Sequence, residues 1–241
     1  VVLAAVFVFA ASFIRSVTGF GYMLVATPLL MLVIEPKTVV VMNNLLGITS
    51  SVMLLYYMRR HIDFRRGGLM CLGGLFGLPL GAYLLTNLDP IIIKLAVAGV
   101  VIPFSILLLL GHSHRFQREV PWCITVGFLG GLLTTSTSIG GPPVVLFMLN
   151  QGMVKERFVA TFAMFTLFVS VVGVGTFSAL GLVTTDLLLK VAILLPFLWL
   201  GAHLGIKVLP KINPALFRKI TLMLLSVTAS VIIVTVLAEL L

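Results

Sequence analysis

Arg15, Ser16, Thr18, Gly19 and Gly21 lie close together in an otherwise apolar run, and Thr137, Ser138, Gly140 and Gly141 form a second such group. The chemistry of this set is that of an oxyanion site. A guanidinium keeps its charge, and its planar fork matches two or three equivalent oxygens. The hydroxyls of Thr18, Ser136, Thr137 and Ser138 add donors. Glycines allow a tight turn and close approach of a ligand to the backbone, and Pro142 and Pro143 suit the first turn of a following helix. Arg15 has a second reading, since a cation at the end of a half-helix also satisfies free carbonyls or snorkels to the interface. The ligand role is favoured because ionisable groups in membrane segments are functional by default. Asn43 and Asn44, a polar pair inside another apolar segment, either line the same site or bond neighbouring helices.

The elements that must position these residues are membrane helices. Sixty per cent of the 241 residues are apolar and a tenth are charged, a balance that no soluble domain of this length tolerates on its surface. Apolar runs recur near the ~20 residues a helix needs to cross the bilayer, and none shows the short alternation of a membrane barrel strand. Polar punctuation divides the chain into 1–34, 38–58, 67–86, 91–110, 122–150, 158–180, 187–206 and 220–240. Segments 1–34 and 122–150 are too long for one crossing, and each is broken near its centre by one of the two polar groups. Residues 1–13 lack the basic front and cleavage pattern of a signal peptide.

Cytoplasmic loops collect lysine and arginine. Placing 59–66 inside and letting both broken segments return to the face they enter puts twelve of the 16 cations inside, in loops 59–66, 112–119, 155–157 and 207–219. Lys37 and Lys94 are then outside, with both chain termini. A shift of 120 residues superposes Gly21 on Gly141, Lys37 on Arg157, Ser50 on Ser170 and Gly81 on Gly201. Corresponding loops have opposite charge character, as expected of halves inserted in opposite orientations. The expected fold is therefore an all-α polytopic membrane protein of two inverted-topology repeats, 1–110 and 121–241, joined by a basic cytoplasmic linker at 111–120. Each repeat is a broken helical hairpin followed by three spanning helices.

Irregular backbone survives in hydrocarbon only where protein or a watery cavity surrounds it. Two breaks at matching places therefore point to one shared site, where half-helix N-termini favour an anion. No Asp or Glu falls mid-helix, so a carboxylate proton relay has no candidate, and no ATP-binding loop occurs. Cys71 and Cys123 read as packing residues. Tyr83 and His203 read as helix–helix hydrogen bonders, and Gly73, Gly74, Gly77, Gly173 and Gly175 as packing faces. His112 and His114 lack a third metal ligand nearby. No metal, cofactor, nucleic acid or enzymatic activity is expected. The partners are a small anion, the lipid bilayer of the cell's inner membrane and, for uptake, a coupling proton or sodium ion.

The stretches "FIRSVTGFGYMLVATPLL", "EPKTVVVMNNLLGI", "RRHIDFR", "GLLTTSTSIGGPPVVLFMLNQG" and "KERFVATFAMF" resemble the sulfite exporter TauE/SafE family of membrane permeases over essentially the whole chain. The most specific parts are Thr18 to Gly21 with Pro28, and Gly140 to Pro143. The resemblance implies an inverted-repeat transporter, expected to be an exporter, for sulfite, sulfoacetate or other organosulfonates. It carries a substrate-site role to Arg15, Thr18, Gly19, Gly21, Gly140 and Gly141. Tyr22, where many relatives have a small residue, and the hydroxyl-rich run Thr134–Ser138 depart from the family pattern. The alternative function is an ion-coupled uptake permease for a carboxylate or other organic anion, with Asn43 or Asn44 and exposed carbonyls holding sodium.

Overall fold

The computed structural model describes residues 2–89, 92, 95, 99, 119–211, 213 and 223. Apart from residues 92, 95, 99 and 223, the spans expected at 91–110 and 220–240 lie outside the described residues, as do the linker up to residue 118 and Lys94, His112, His114, Arg218 and Lys219. Eight α-helices and no strand occur among the described residues: α1 (Val2–Thr18), α2 (Tyr22–Leu30), α3 (Pro36–Met58), α4 (Phe64–Asn87), α5 (Glu119–Thr137), α6 (Gly141–Asn150), α7 (Lys155–Ala179) and α8 (Thr185–Val208). The helices α3, α4, α5, α7 and α8 are long and apolar enough to cross a bilayer. The protein is a multi-pass membrane protein.

Three helix pairs set the architecture. Along α4, Gly73, Gly77 and Gly81 face the main chain at Ile124, Phe128 and Leu132 of α5, so these two helices run parallel. Likewise Gly201 and Gly205 of α8 face Phe9 and Phe13 of α1, again in parallel, and Ser12 Oγ donates to Leu198 O at 2.7 Å. In contrast α3 and α7 are antiparallel: Gly47 faces Ser170, and Gly173 faces Asn44. Without aqueous solvent to drive association, small residues that let backbones approach are what hold membrane helices together. A Cβ at Gly77 would stand 2.1 Å from Phe128 O, which nothing flexible can relieve. Gly77→Leu should therefore destabilise the protein by about 1–3 kcal/mol or more, seen as a fall in Tm in detergent. Gly175→Leu is the control and should change little, because no described residue lies within 4 Å of a Cβ there. Among the described residues Gly175 thus departs from the packing role expected of it.

Both broken segments return to the end they enter. Ala4, at the start of α1, lines a surface cavity of about 420 Å³ with Val33, Ile34, Glu35 and Thr38, just after α2, and Lys190 of α8. At the other end Arg66 donates to Glu119, the first residue of α5, at 2.5 Å, and Asp63 N donates to Thr161 Oγ1 of α7 at 3.0 Å. Lys155, the first residue of α7, donates to Leu209 O at 3.0 Å. This second end collects the basic residues 59–66, Lys155, Arg157, Lys207 and Lys211.

The interior is layered. One apolar cluster, near the basic end, contains Val17, Phe20, Leu54, Phe158, Phe162 and Phe165. The other contains Ala4, Val8, Ala11, Val39, Met42, Leu46 and Phe177. Between them the same helices carry buried polar side chains: Ser12, Arg15 and Ser16 on α1, Ser50 and Ser51 on α3, and Ser170 on α7. Cys71 and Cys123 are buried free thiols. Among the described residues Tyr83 and His203 make no helix–helix hydrogen bond: Tyr83 is exposed, and His203 stacks on Trp199 with ring centroids 5.2 Å apart. The reason is the glycine faces, which turn α4 toward α5 and α8 toward α1 and leave Tyr83 and Trp199 facing outward.

Candidate functional site

Each break is built from a left-handed residue that stops a helix. Gly19, at φ 79°, receives the end of α1, with its N–H bonded to Arg15 O at 2.6 Å. Gly21, at φ 95°, then opens α2 with no side-chain cap. In the second break the left-handed position is taken by Ser138, at φ 57°, the one non-glycine residue with positive φ among the described residues. A left-handed residue just past the last turn is the usual way to close a helix, glycine being favoured because it has no Cβ to clash. Of the four hydroxyl residues before Ser138, three return their proton to a carbonyl one turn back, Thr134 to Gly130, Ser136 to Leu132 and Thr137 to Leu133, while Thr135 donates across to Leu78 O of α4 at 2.9 Å. Asn44 Nδ2 reaches across from α3 to Thr134 O at 3.2 Å, a carbonyl that also accepts from Ser138 N at 3.0 Å.

Arg15 lies at the centre of the molecule. It is 2 % exposed, and its Nη2 donates to Ser51 Oγ at 2.6 Å and to Thr166 Oγ1 at 2.9 Å. Thr166 stands about midway along α7, so the guanidinium sits level with the middle of that helix. Among the described residues the Nε atom has no hydrogen-bond partner. Among the described residues no carboxylate contacts Arg15, the ion pairs being confined to Asp63–Arg66–Glu119, Lys155–Glu156 and Asp186–Lys190. A buried cation without a counter-charge is costly, and such groups are normally paired.

A cavity of about 20 Å³ adjoins Arg15 and brings the two broken segments together. Gly21, Tyr22, Met23 and Leu24 line it from the first, Thr134, Ile139 and Gly141 from the second, and Phe162, Thr166 and Val169 from α7. That volume has room for about one water, less than the four heavy atoms of a sulfite need. The first-turn amides of α2 have no acceptor inside their helix, and Tyr22, Met23 and Leu24 all stand at the cavity wall. The α6 terminus offers less, because Pro142 and Pro143 remove two of its first-turn N–H groups.

A hydrogen-bonded chain ties the breaks to each other. Tyr22 OH donates to Asn43 Oδ1 at 3.4 Å, Asn43 Nδ2 donates to Thr27 Oγ1 at 3.0 Å, and Thr27 Oγ1 lies 2.6 Å from Ser138 Oγ. Of the residues singled out in the sequence, Arg15, Gly21 and Gly141 line the cavity. Ser138 and Asn43 join the chain beside it. The Thr18 hydroxyl meets Ile14 O and Phe20 O of its own segment, and Thr137 Oγ1 donates to Leu133 O and accepts from Ile139 N. Gly19 lies against Val159, and Gly140 against Thr134 and Gly130; Ser16 is buried beside Gly205. Asn44 bonds backbone of α3 and α5. Sequence reasoning missed Ser51 and Thr166, the partners of Arg15, and Thr27. Among the described residues no group of three or more His, Cys, Asp or Glu could hold a metal ion.

Searches of the curated proteins and of the solved structures found no match to this chain. The family of the sulfite exporter TauE/SafE matches it over residues 3–232, a span that takes in both breaks, Arg15 and all the cavity-lining residues. On that match the chain belongs to the sulfite exporter TauE/SafE family of membrane transporters.

Proposed function

We propose that the protein is a secondary transporter that exports a small sulfur oxyanion, such as sulfite, sulfoacetate or another organosulfonate. The observation that carries this reading is Arg15: a buried cation level with the middle of α7, with no carboxylate partner among the described residues, set against a cavity walled by both broken segments. A mobile anion is the counter-charge that the described residues do not supply. Arg15 and the free amides at the start of α2 replace the anion's hydration, and Tyr22 and Thr134 bound it laterally. The packing supports two inverted repeats, 1–110 and 121–241: α1 pairs in parallel with α8 as α5 does with α4, while α3 and α7 cross antiparallel. One repeat rocks against the other to expose the site alternately, and the small cavity corresponds to a closed state. The basic end faces the cytoplasm of a cell-membrane protein, in keeping with the bias of cytoplasmic loops. An inside-negative potential then favours export, by ~2.3 kcal/mol per charge per 100 mV.

A second reading, ion-coupled uptake of a carboxylate, rests on Asn44 Oδ1, a buried oxygen with no hydrogen-bond partner that a coupling cation would suit. Flux indifferent to sodium and to pH removes it. Counterflow in proteoliposomes with labelled sulfite, sulfoacetate and an aromatic sulfonate tests the main reading. At least one should exchange well above protein-free vesicles; exchange of none of them, in protein shown to be folded, contradicts it.

A further inference from the structure

The hydrogens of Arg15 can be accounted for one by one. A guanidinium carries five N–H donors, and an oxyanion chelates it through an edge, either Nε with Nη2 or Nη1 with Nη2. Both edges need Nη2. That nitrogen already donates to two hydroxyls, Ser51 Oγ at 2.6 Å and Thr166 Oγ1 at 2.9 Å. The Nε donor, on the adjoining edge, is buried and, among the described residues, without a hydrogen-bond partner. The two hydroxyls are not independent of each other: they lie 3.1 Å apart, and Thr166 Oγ1 also donates to Phe162 O at 2.9 Å, which fixes it to α7. They come from antiparallel helices, α3 and α7, so the shared Nη2 ties those helices together near the middle of α7.

We infer that Ser51 and Thr166 are a displaceable lock on Arg15, which a bidentate oxyanion must open and a monodentate anion cannot. The inference rests on the anion-transport reading above and adds to it which residues set selectivity. A sulfonate or sulfite approaching from the cavity takes Nε with one Nη2 hydrogen, and one hydroxyl is released. The released hydroxyl leaves the α3–α7 tie weakened, so that binding and separation of the two helices become one event. A halide has a single centre; it meets Nη1 or Nε alone, leaves the lock closed and gains no chelate. Arg15 and Tyr22 are the titratable groups at this cavity, and no acid faces them among the described residues. The lock therefore works by competition for hydrogens and not by titration of a carboxylate.

The sign of the effect separates a lock from a substrate ligand. If Ser51 and Thr166 compete with the anion, then Ser51→Ala with Thr166→Val should tighten sulfonate binding, because the resting state has lost bonds that the bound state does not keep in full. A hydrogen bond to a charged group is typically worth enough for a change of about tenfold in dissociation constant. Chloride, which binds without opening the lock, should gain nothing, so its competition against the sulfonate should weaken at the same time. Thr166→Ser keeps the hydroxyl and should behave like wild type. The measurement is ligand-induced thermal stabilisation of the purified, full-length protein with methanesulfonate, sulfite and chloride, with Ser51→Ala alone as the milder variant should the double variant fold poorly. Weakened or unchanged sulfonate affinity in the folded variants overturns the lock. Absence of any oxyanion binding by the wild-type protein instead overturns the transport reading on which the lock rests.

Discussion

Arg15→Gln should reduce anion flux by roughly a hundredfold or more while leaving the protein folded. The side chain forms charge-assisted hydrogen bonds, each worth about 1.5–3 kcal/mol when one partner is ionised, and an anion chelated by two of them loses both with the charge. Stability should move the other way. The guanidinium is buried with no carboxylate beside it among the described residues, and a buried charge without its counter-ion destabilises the fold that contains it. Glutamine keeps a donor for Ser51 or Thr166 and removes that penalty. The ligand-free variant should thus melt at or above the wild-type temperature, and added sulfonate should no longer raise it. Near-normal flux in proteoliposomes removes Arg15 from the transport step. A large fall in ligand-free Tm assigns it a structural role instead.

A cysteine pair at Thr27 and Ser138 should stop transport reversibly. Their hydroxyl oxygens lie 2.6 Å apart, across the contact between α2 and the second break, and sulfur atoms in those places fall near the ~2.05 Å of a disulfide. Cys71 and Cys123 are replaced by alanine in the same protein, so that only the new pair can oxidise. Because the cavity holds about one water as it stands, an anion can pass only if the two broken segments part. Oxidation should bring flux to the level of empty vesicles, and a reductant should restore it. Undiminished flux in fully oxidised protein shows that the segments stay together throughout the cycle.

What could be read in the sequence, and what could not, divides on physical lines. The broken segments were legible because polar residues and glycines inside a membrane helix carry a cost that only a special local structure offsets; "SVTGFG" and "TTSTSIGGPP" stand out against their apolar neighbours. Arg15 was legible for the same reason. Helix ends were legible to within a few residues, and at the start of α4 a cap explains the shift. The α4 helix starts at Phe64, not near residue 67, because the Asp63 side chain accepts from Arg66 N at 3.1 Å, a typical N-cap bond. Ser51 and Thr166 were not legible. A single serine or threonine in a membrane helix most often bonds its own backbone, as Thr134, Ser136 and Thr137 do here, and only the antiparallel register of α3 on α7 turns these two toward one guanidinium. The pairing of glycines shows the same limit. The sequence match placed Gly81 on Gly201, whereas Gly77 and Gly81 contact α5 with the same four-residue spacing at which Gly201 and Gly205 contact α1. Which glycine meets which backbone is decided by how the helices tilt, and no local pattern encodes that. Nor did the sequence indicate that the Thr18 hydroxyl would close on its own backbone rather than face the cavity.

The most direct measurement is the position of a bound anion. Selenite, the selenium counterpart of sulfite, can be located by its anomalous scattering in crystals of the wild-type protein and of Arg15→Gln. The account predicts a peak within hydrogen-bonding distance of Arg15 Nε and Nη2, between Gly21 and Gly141, that is missing in the variant. A peak confined to the arginine-rich end of the molecule, or one that persists beside residue 15 after the charge is removed, contradicts it.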